Sequence, residues 1–420
     1  MLFEHLAAVD VDGFGHRDVL HAVAGQRARN ETRPLSLHLH LPSCEATRRG
    51  GAATYLDYLK REIAMHGRLF DGMHTLTRLH LGGAPGDLAD AEVDDLATHL
   101  RRCFRFAPDA RGDYAIDVDP RTVSPARLRA LRRLGFNRVG VAVRDDGAAV
   151  RRAVVDAARA AGFCSVDVDL AYGLPKQTPA TMRAALDRVI AAGPDHVCLY
   201  RCAHAPHPAA PQGGFAAADM PDGGARLRLL QVAIERLTEA GYRYLGMDRF
   251  AAPDDGRARA QAQGRQEQSG GEDAAPADAN LVACGVAAIS AVGPTCSQNA
   301  GDVDAYRAAI DRNELPIARG VRLALDDSFW RSLIQTLMCQ SALSIADVEQ
   351  AFPIVFDRHF ERELAQLADL ERDGLVTLTP DTIGATMKGR LLIRNARAAF
   401  DVHPARRGAG PRQAHAIRIR

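Results

Sequence analysis

Cys44 sits three residues beyond an alternating stretch that has the form of a β-strand. Leu35, Leu37, Leu39 and Leu41 alternate with Ser36, His38 and His40, the period of two expected of a strand. Pro42 ends it and leaves the Cys44 thiol on the following loop. Thiolates at fixed spacing hold iron–sulfur clusters and other soft metals; a lone loop cysteine has the simpler reading of an ordinary thiol. A second group of soft donors is Cys198, Cys202 and His204. On a strand these three share one face, which suits zinc or equally a set of buried strand cysteines. Gly82-Gly83 closes another apolar run and fits either close approach to a ligand or a strand-end turn. Asp117 and Asp169 fall at strand ends, where a carboxylate can bind a ligand's hydroxyl or amino group, or cap a helix. Arg144 can pair with either of them.

The elements that must position these groups follow a strict order. Strands are expected at Leu35–Leu41, Leu76–Leu81, Tyr114–Val118, Arg138–Val143, Ser165–Leu170 and His196–Cys202, each followed by a helical pattern. Helix starts at Ser124-Pro125 and Thr178-Pro179, and stops at Gly135 and Gly162, punctuate the series. Six strand–helix units in alternation imply an α/β fold with a parallel, right-handed sheet. Six units suit a partial (β/α)6 TIM-like barrel, with chemistry at the carboxyl ends of its strands. Before the barrel (34–250) lies a lead-in (1–33); after it come a polar loop (251–280) and a barrel-associated connection (281–325). A mainly helical, winged-helix-like domain (326–400) and a basic tail (401–420) complete the chain. In the terminal stretch from Arg390, eight arginines stand against Asp401 alone.

The bulk composition narrows the function classes. With 420 residues and 47% hydrophobic content, the chain can bury a large core. A net charge of +1 argues against a globally nucleic-acid-binding or membrane-surface protein. No apolar run approaches the ~18 residues of a membrane span, and eight scattered cysteines do not form a secreted disulfide framework. A cytoplasmic protein is the expectation.

Several stretches carry a resemblance. RPLSLHLHLPSC (33–44), IDVDPR (116–121), GFNRVGVAV (135–143), DLAYGLPKQT (169–178), GYRYLGMDRFAAPDD (241–255), GVAAIS (285–290) and KGRLLIRN (388–395) resemble the oxygen-independent coproporphyrinogen III oxidases, or coproporphyrinogen dehydrogenases, of the radical SAM superfamily. The resemblance implies a radical SAM barrel, a 4Fe–4S cluster, S-adenosylmethionine, and anaerobic haem synthesis by oxidative decarboxylation of coproporphyrinogen III to protoporphyrinogen IX. It also implies a monomer. In the family, three cysteines in a Cys-x3-Cys-x2-Cys loop hold the cluster. Here Cys44 is the sole remnant: Arg48 and Gly51 stand at the other two positions. By the same resemblance, His38, Gly82, Gly83, Asp117, Arg144 and Asp169 fall at S-adenosylmethionine positions. His38 replaces a tyrosine, Asp117 a glutamate and Arg144 a glutamine, and the Gly-Gly-Gly-Thr-Pro stretch is reduced to Gly82-Gly83-Ala84-Pro85.

These departures predict a degenerate member without its own cluster, with haem or a porphyrin still a possible ligand. His38 and His40 would face the ring or its iron, or else serve as hydrogen-bonded core histidines; Arg144 would grip a propionate. Two competing expectations are an active enzyme with atypical cluster ligation, and a non-enzymatic module binding nucleic acid or protein through the C-terminal domain. Nucleic acid is the weaker partner class, since a basic terminal tail is commonly just solvated.

Overall fold

A computed structural model of the chain describes residues 13–29, 31–42, 52–70, 74–83, 88–109, 111–143, 150–202, 219–246, 248–256, 258–259, 279–322, 342–351, 354–386 and 389. Two compact units, Met1–Ala324 and Leu325–Arg420, divide it.

In the first unit the elements run α1 (His16–Ala28), β1 (Leu35–Leu41), α2 (Ala52–Phe70), β2 (Thr75–Gly83), α3 (Asp90–Cys103), β3 (Arg105–Phe106) and β4 (Asp113–Val118). Next come α4 (Pro125–Arg133), β5 (Arg138–Val143), α5 (Arg152–Ala160), β6 (Ser165–Tyr172), α6 (Pro179–Ala192), β7 (His196–Arg201) and α7 (Gly223–Glu239). The unit ends with β8 (Arg243–Gly246), β9 (Arg249–Ala251), β10 (Asn280–Cys284), β11 (Ile289–Val292), β12 (Thr295–Asn299), α8 (Val303–Asp311) and β13 (Ile317–Arg322).

Local sequence accounts for the helix ends. Ser124 Oγ accepts the Arg127 amide at 3.1 Å, and Pro125 occupies the first helical position of α4, where no amide is needed. Thr178 caps α6 in the same way, and that helix stops at Gly193 in the left-handed region (φ 69°). Removing the α4 cap with Ser124→Ala is expected to cost about 1 kcal/mol. Urea denaturation reads this as a lowered midpoint at unchanged slope; an unshifted midpoint would show that the cap contributes nothing.

The sheet is mixed, in the order β13-β12-β11-β10-β1-β2-β4-β5-β6-β7-β9-β8, with β3 on β2. Its centre is the predicted parallel run β1-β2-β4-β5-β6-β7. Within the stretch 281–325, expected as a barrel-associated connection, β10 to β13 extend this same sheet. β10 lies parallel to β1, and β11 to β13 continue antiparallel. The β10 sequence, Asn-Leu-Val-Ala-Cys, is buried at every position, so it lacks the alternation that marks a half-exposed strand. Gln26 of α1 and Asn280 of β10 exchange two buried side-chain hydrogen bonds at 3.0 Å, satisfying polar groups that burial would otherwise penalise. On α7, Leu229, Leu230, Ala233 and Leu237 are buried, and Leu227 and Ile234 are half-buried. Apolar residues crowd that helix so densely that periodicity fixes its inward face only to within one position.

Within the second unit, β14 (Ala342–Ser344) leads into α9 (Ile345–Ala351), α10 (Phe356–His359), α11 (Glu361–Arg372), β15 (Val376–Leu378) and β16 (Thr382–Ala385). The strands form an antiparallel sheet in the order β14-β16-β15. Phe356, Phe360, Leu367, Val376 and Ile383 are buried, and Ser344 Oγ accepts the Asp347 amide at 3.2 Å. This is the predicted winged-helix-like arrangement, with β14 as an additional strand. The stretches around Leu333 and Leu391, within the helical pattern expected over 326–400, lie outside the described residues.

Candidate functional site

Register sorts the strand residues of the first unit onto two faces. Leu35, Leu37 and Leu39 pair with Asn280, Val282 and Cys284 on one face; His38 pairs with His80 on the other. Strand alternation then places Asp117, Gly140, Asp167, Asp169, His196 and Cys198 on the His38 face, through the pairs Asp117–Gly140, Gly140–Asp167, Asp167–His196 and Asp169–Cys198. A central parallel sheet normally fills both faces with apolar side chains. Here one face is polar, as a ligand-facing surface would be.

Two groups of contacts organise that face. In the first, the His38 and His80 rings stack with centroids 4.8 Å apart and planes 27° apart. His80 Nε2 donates to Asp117 Oδ1 at 3.1 Å. Small residues make room for these rings. A Cβ on Gly82 would lie 2.7 Å from His80 Cε1 and 3.2 Å from His38 Nε2, and one on Gly140 would lie 2.4 Å from Asp117 Oδ1. In the second group, Arg138 lies between Asp113 and Asp167, 2.9 Å from each. Asp167 also accepts from Ser165 Oγ at 2.5 Å and meets His196 Nδ1 at 2.9 Å; His196 Nε2 lies 3.3 Å from Asp255. Burial opposes ionisation of Asp167, but Arg138 and His196 outweigh it and hold the carboxyl well below its ordinary value. Burial likewise pulls His196 down, and Asp167 and Asp255 reverse it, leaving the imidazole above its ordinary value.

Of the residues singled out from sequence, His38, Gly82 and Asp117 come together, joined by His80. Gly83 follows at the end of β2, and Asp169 lies on the same sheet face beside Cys198. Arg144, Cys44, Arg48, Gly51 and His204 lie outside the described residues. His80, Arg138, Asp167, His196 and Asp255 were not singled out. For His80 the signal was present: Arg78 and His80 are the polar alternates of β2, matching Ser36 and His38 of β1.

The donor set does not fit an iron–sulfur cluster. Such a cluster is held by several cysteine thiolates, whereas the loop positions carry cysteine, arginine and glycine, and a guanidinium repels iron. Among the described residues no three cysteines gather; the sole convergence of three potential metal donors is Glu62, His66 and Cys284, away from this face. The described residues also contain no helix long and apolar enough to cross a membrane.

Comparison with known proteins identifies the family. The chain is 37% identical to the oxygen-independent coproporphyrinogen III oxidase of Pseudomonas aeruginosa, over 93% of this chain and 90% of that one. The Escherichia coli protein of the same name gives the same identity and coverage. The solved structure of Escherichia coli coproporphyrinogen III oxidase (HemN), a radical SAM enzyme, superposes with a TM-score of 0.80 at 35% identity, covering 93% of this chain and 94% of that chain. Residues 323–392 match the HemN C-terminal domain family.

Proposed function

The chain belongs to the oxygen-independent coproporphyrinogen III oxidase family, and from that premise we propose that it is a degenerate member: it builds no 4Fe–4S cluster of its own and retains a tetrapyrrole site on the polar face of its barrel. The replacement of two cluster cysteines by Arg48 and Gly51 carries this reading. One thiolate cannot hold three irons, and without a cluster no iron is left to chelate S-adenosylmethionine. The former cosubstrate positions support the same conclusion. Asp117 is engaged by His80, and His38 stacks on that ring, so imidazoles line the surface where the cosubstrate's polar groups would lie.

The same surface suits a carboxylate-bearing tetrapyrrole. Stacked imidazoles offer flat ring faces and hydrogen-bond donors for a propionate. Titration with coproporphyrin III, read by absorbance and quenching of porphyrin fluorescence, tests this. Saturable binding by the intact chain is expected, weakened about tenfold or more in His38→Ala, from loss of a charge-assisted hydrogen bond. Absence of saturation would remove the tetrapyrrole site and leave the family assignment standing.

The competing reading, an active enzyme with atypical ligation, draws on the extent of the family likeness. It requires ligands beyond Cys44, from Cys198, Cys202 or a partner protein.

A further inference from the structure

On the opposite face of the sheet, α2 carries Glu62 and His66 one turn apart, so both point the same way. Cys284, the last residue of β10, lies against them. The carboxylate oxygen, imidazole nitrogen and thiol sulfur of these residues all fall within 4.8 Å of one another, and all three residues are buried. We propose that Glu62, His66 and Cys284 form a binding site for one divalent cation of the zinc class. This site is independent of the barrel-face reading above.

The surroundings of Glu62 are arranged as those of a metal ligand are. Glu62 Oε2 accepts from the Gly285 amide at 2.8 Å and the Tyr306 hydroxyl at 2.6 Å, and Oε1 accepts from Asn299 Nδ2 at 2.7 Å. These contacts fix the carboxylate and leave Oε1, with a single hydrogen bond, as the oxygen 4.0 Å from His66 Nε2. Outer contacts of this kind orient ligands in metal sites. Among the described residues, no lysine or arginine pairs with Glu62. His66 Nδ1 is a buried nitrogen without a hydrogen-bond partner, although buried polar atoms are nearly always satisfied.

Charge selects the class of ion. One carboxylate, one thiolate and one neutral imidazole balance a divalent cation to zero, which is what a water-excluded site tolerates. Without a cation, burial discourages the charged form of every member: Glu62 is pushed up to about 7, His66 down to about 4, and the Cys284 thiol well above its ordinary value. Mixed sulfur, nitrogen and oxygen donors favour zinc or cobalt over calcium or magnesium. Three protein ligands is also the count of zinc sites that keep one further position open. Zinc–ligand bonds of ~2.0–2.3 Å ask the three side chains to close by roughly 1 Å, within reach of rotamer adjustment on α2.

The test is titration of chelator-treated, full-length protein with cobalt(II), read by the thiolate-to-cobalt charge-transfer band and by metal analysis. One cobalt per chain with that band is expected. Cys284→Ala and His66→Phe should each weaken uptake on the order of tenfold or more, while Cys198→Ser, which removes a donor of the other Cys/His set, should not. Circular dichroism identifies variants that fail to fold, and the unsubstituted chain decides the matter regardless of them. No uptake by that chain, uptake unchanged in both folded variants, or loss in Cys198→Ser would overturn the proposal.

Discussion

Replacing Arg138 with alanine is expected to lower the unfolding free energy by about 3–5 kcal/mol, the cost of stranding buried charges whose partner has been removed. Arg138 lies between Asp113 and Asp167, and Asp167 is 5% exposed. Among the described residues, His196 alone remains to neutralise it, and His196 is shared with Asp255. The same network makes stability depend on pH from both sides. Asp167 is held below its ordinary value, so its contribution is present above the usual carboxylate range and is lost as pH falls through the folded-state value. His196 is held above its ordinary value, so its contribution is complete below about 6.5 and is lost as pH rises through the folded-state value. Urea denaturation across pH reads both limbs. In Arg138→Ala the acid limb should flatten, because less holds the Asp167 carboxyl ionised. A variant as stable as the parent, with an unchanged acid limb, would show that the network contributes nothing to the fold.

Gly285→Ala is expected to cost about 2–4 kcal/mol, from backbone strain together with overpacking. Gly285 has φ +112°, a conformation that side chains rarely adopt, and an added Cβ would lie 2.6 Å from the His40 carbonyl oxygen and 2.7 Å from the Tyr55 hydroxyl. The first of these is backbone and cannot swing aside. Any shift would also loosen the Gly285 amide from Glu62 and its carbonyl from Asn299. Thermal unfolding should place the variant clearly below the parent. Equal stability would mean that β1 and β10 part here without cost.

What could be read from sequence divides along physical lines. Strands with alternating burial, such as β1, were legible because half of each had to be apolar. Helices with side-chain caps, such as α4 at Ser124 and α6 at Thr178, were legible because their end groups need hydrogen-bond partners. β10 was not, because a strand buried on both faces has no period to detect. His38, Gly82 and Asp117 could be singled out individually, but His80, which joins them, depends on the β1–β2 register. A register is a relation between strands that neither strand states alone. The same holds for Glu62 and Cys284: they are 222 positions apart, and the parallel pairing of β10 with β1 brings them together. The loop after β1, read from its donor count alone, lies outside the described residues.

As proposed, this family member carries no cluster of its own. Iron and acid-labile sulfide content after anaerobic reconstitution, followed by reduction in the presence of S-adenosylmethionine, measures this. Sulfide no higher than in a Cys44→Ser variant and no release of 5′-deoxyadenosine are expected; iron bound at Glu62, His66 and Cys284 would come without sulfide. About four irons and four sulfides per chain, with cleavage of S-adenosylmethionine, would contradict it.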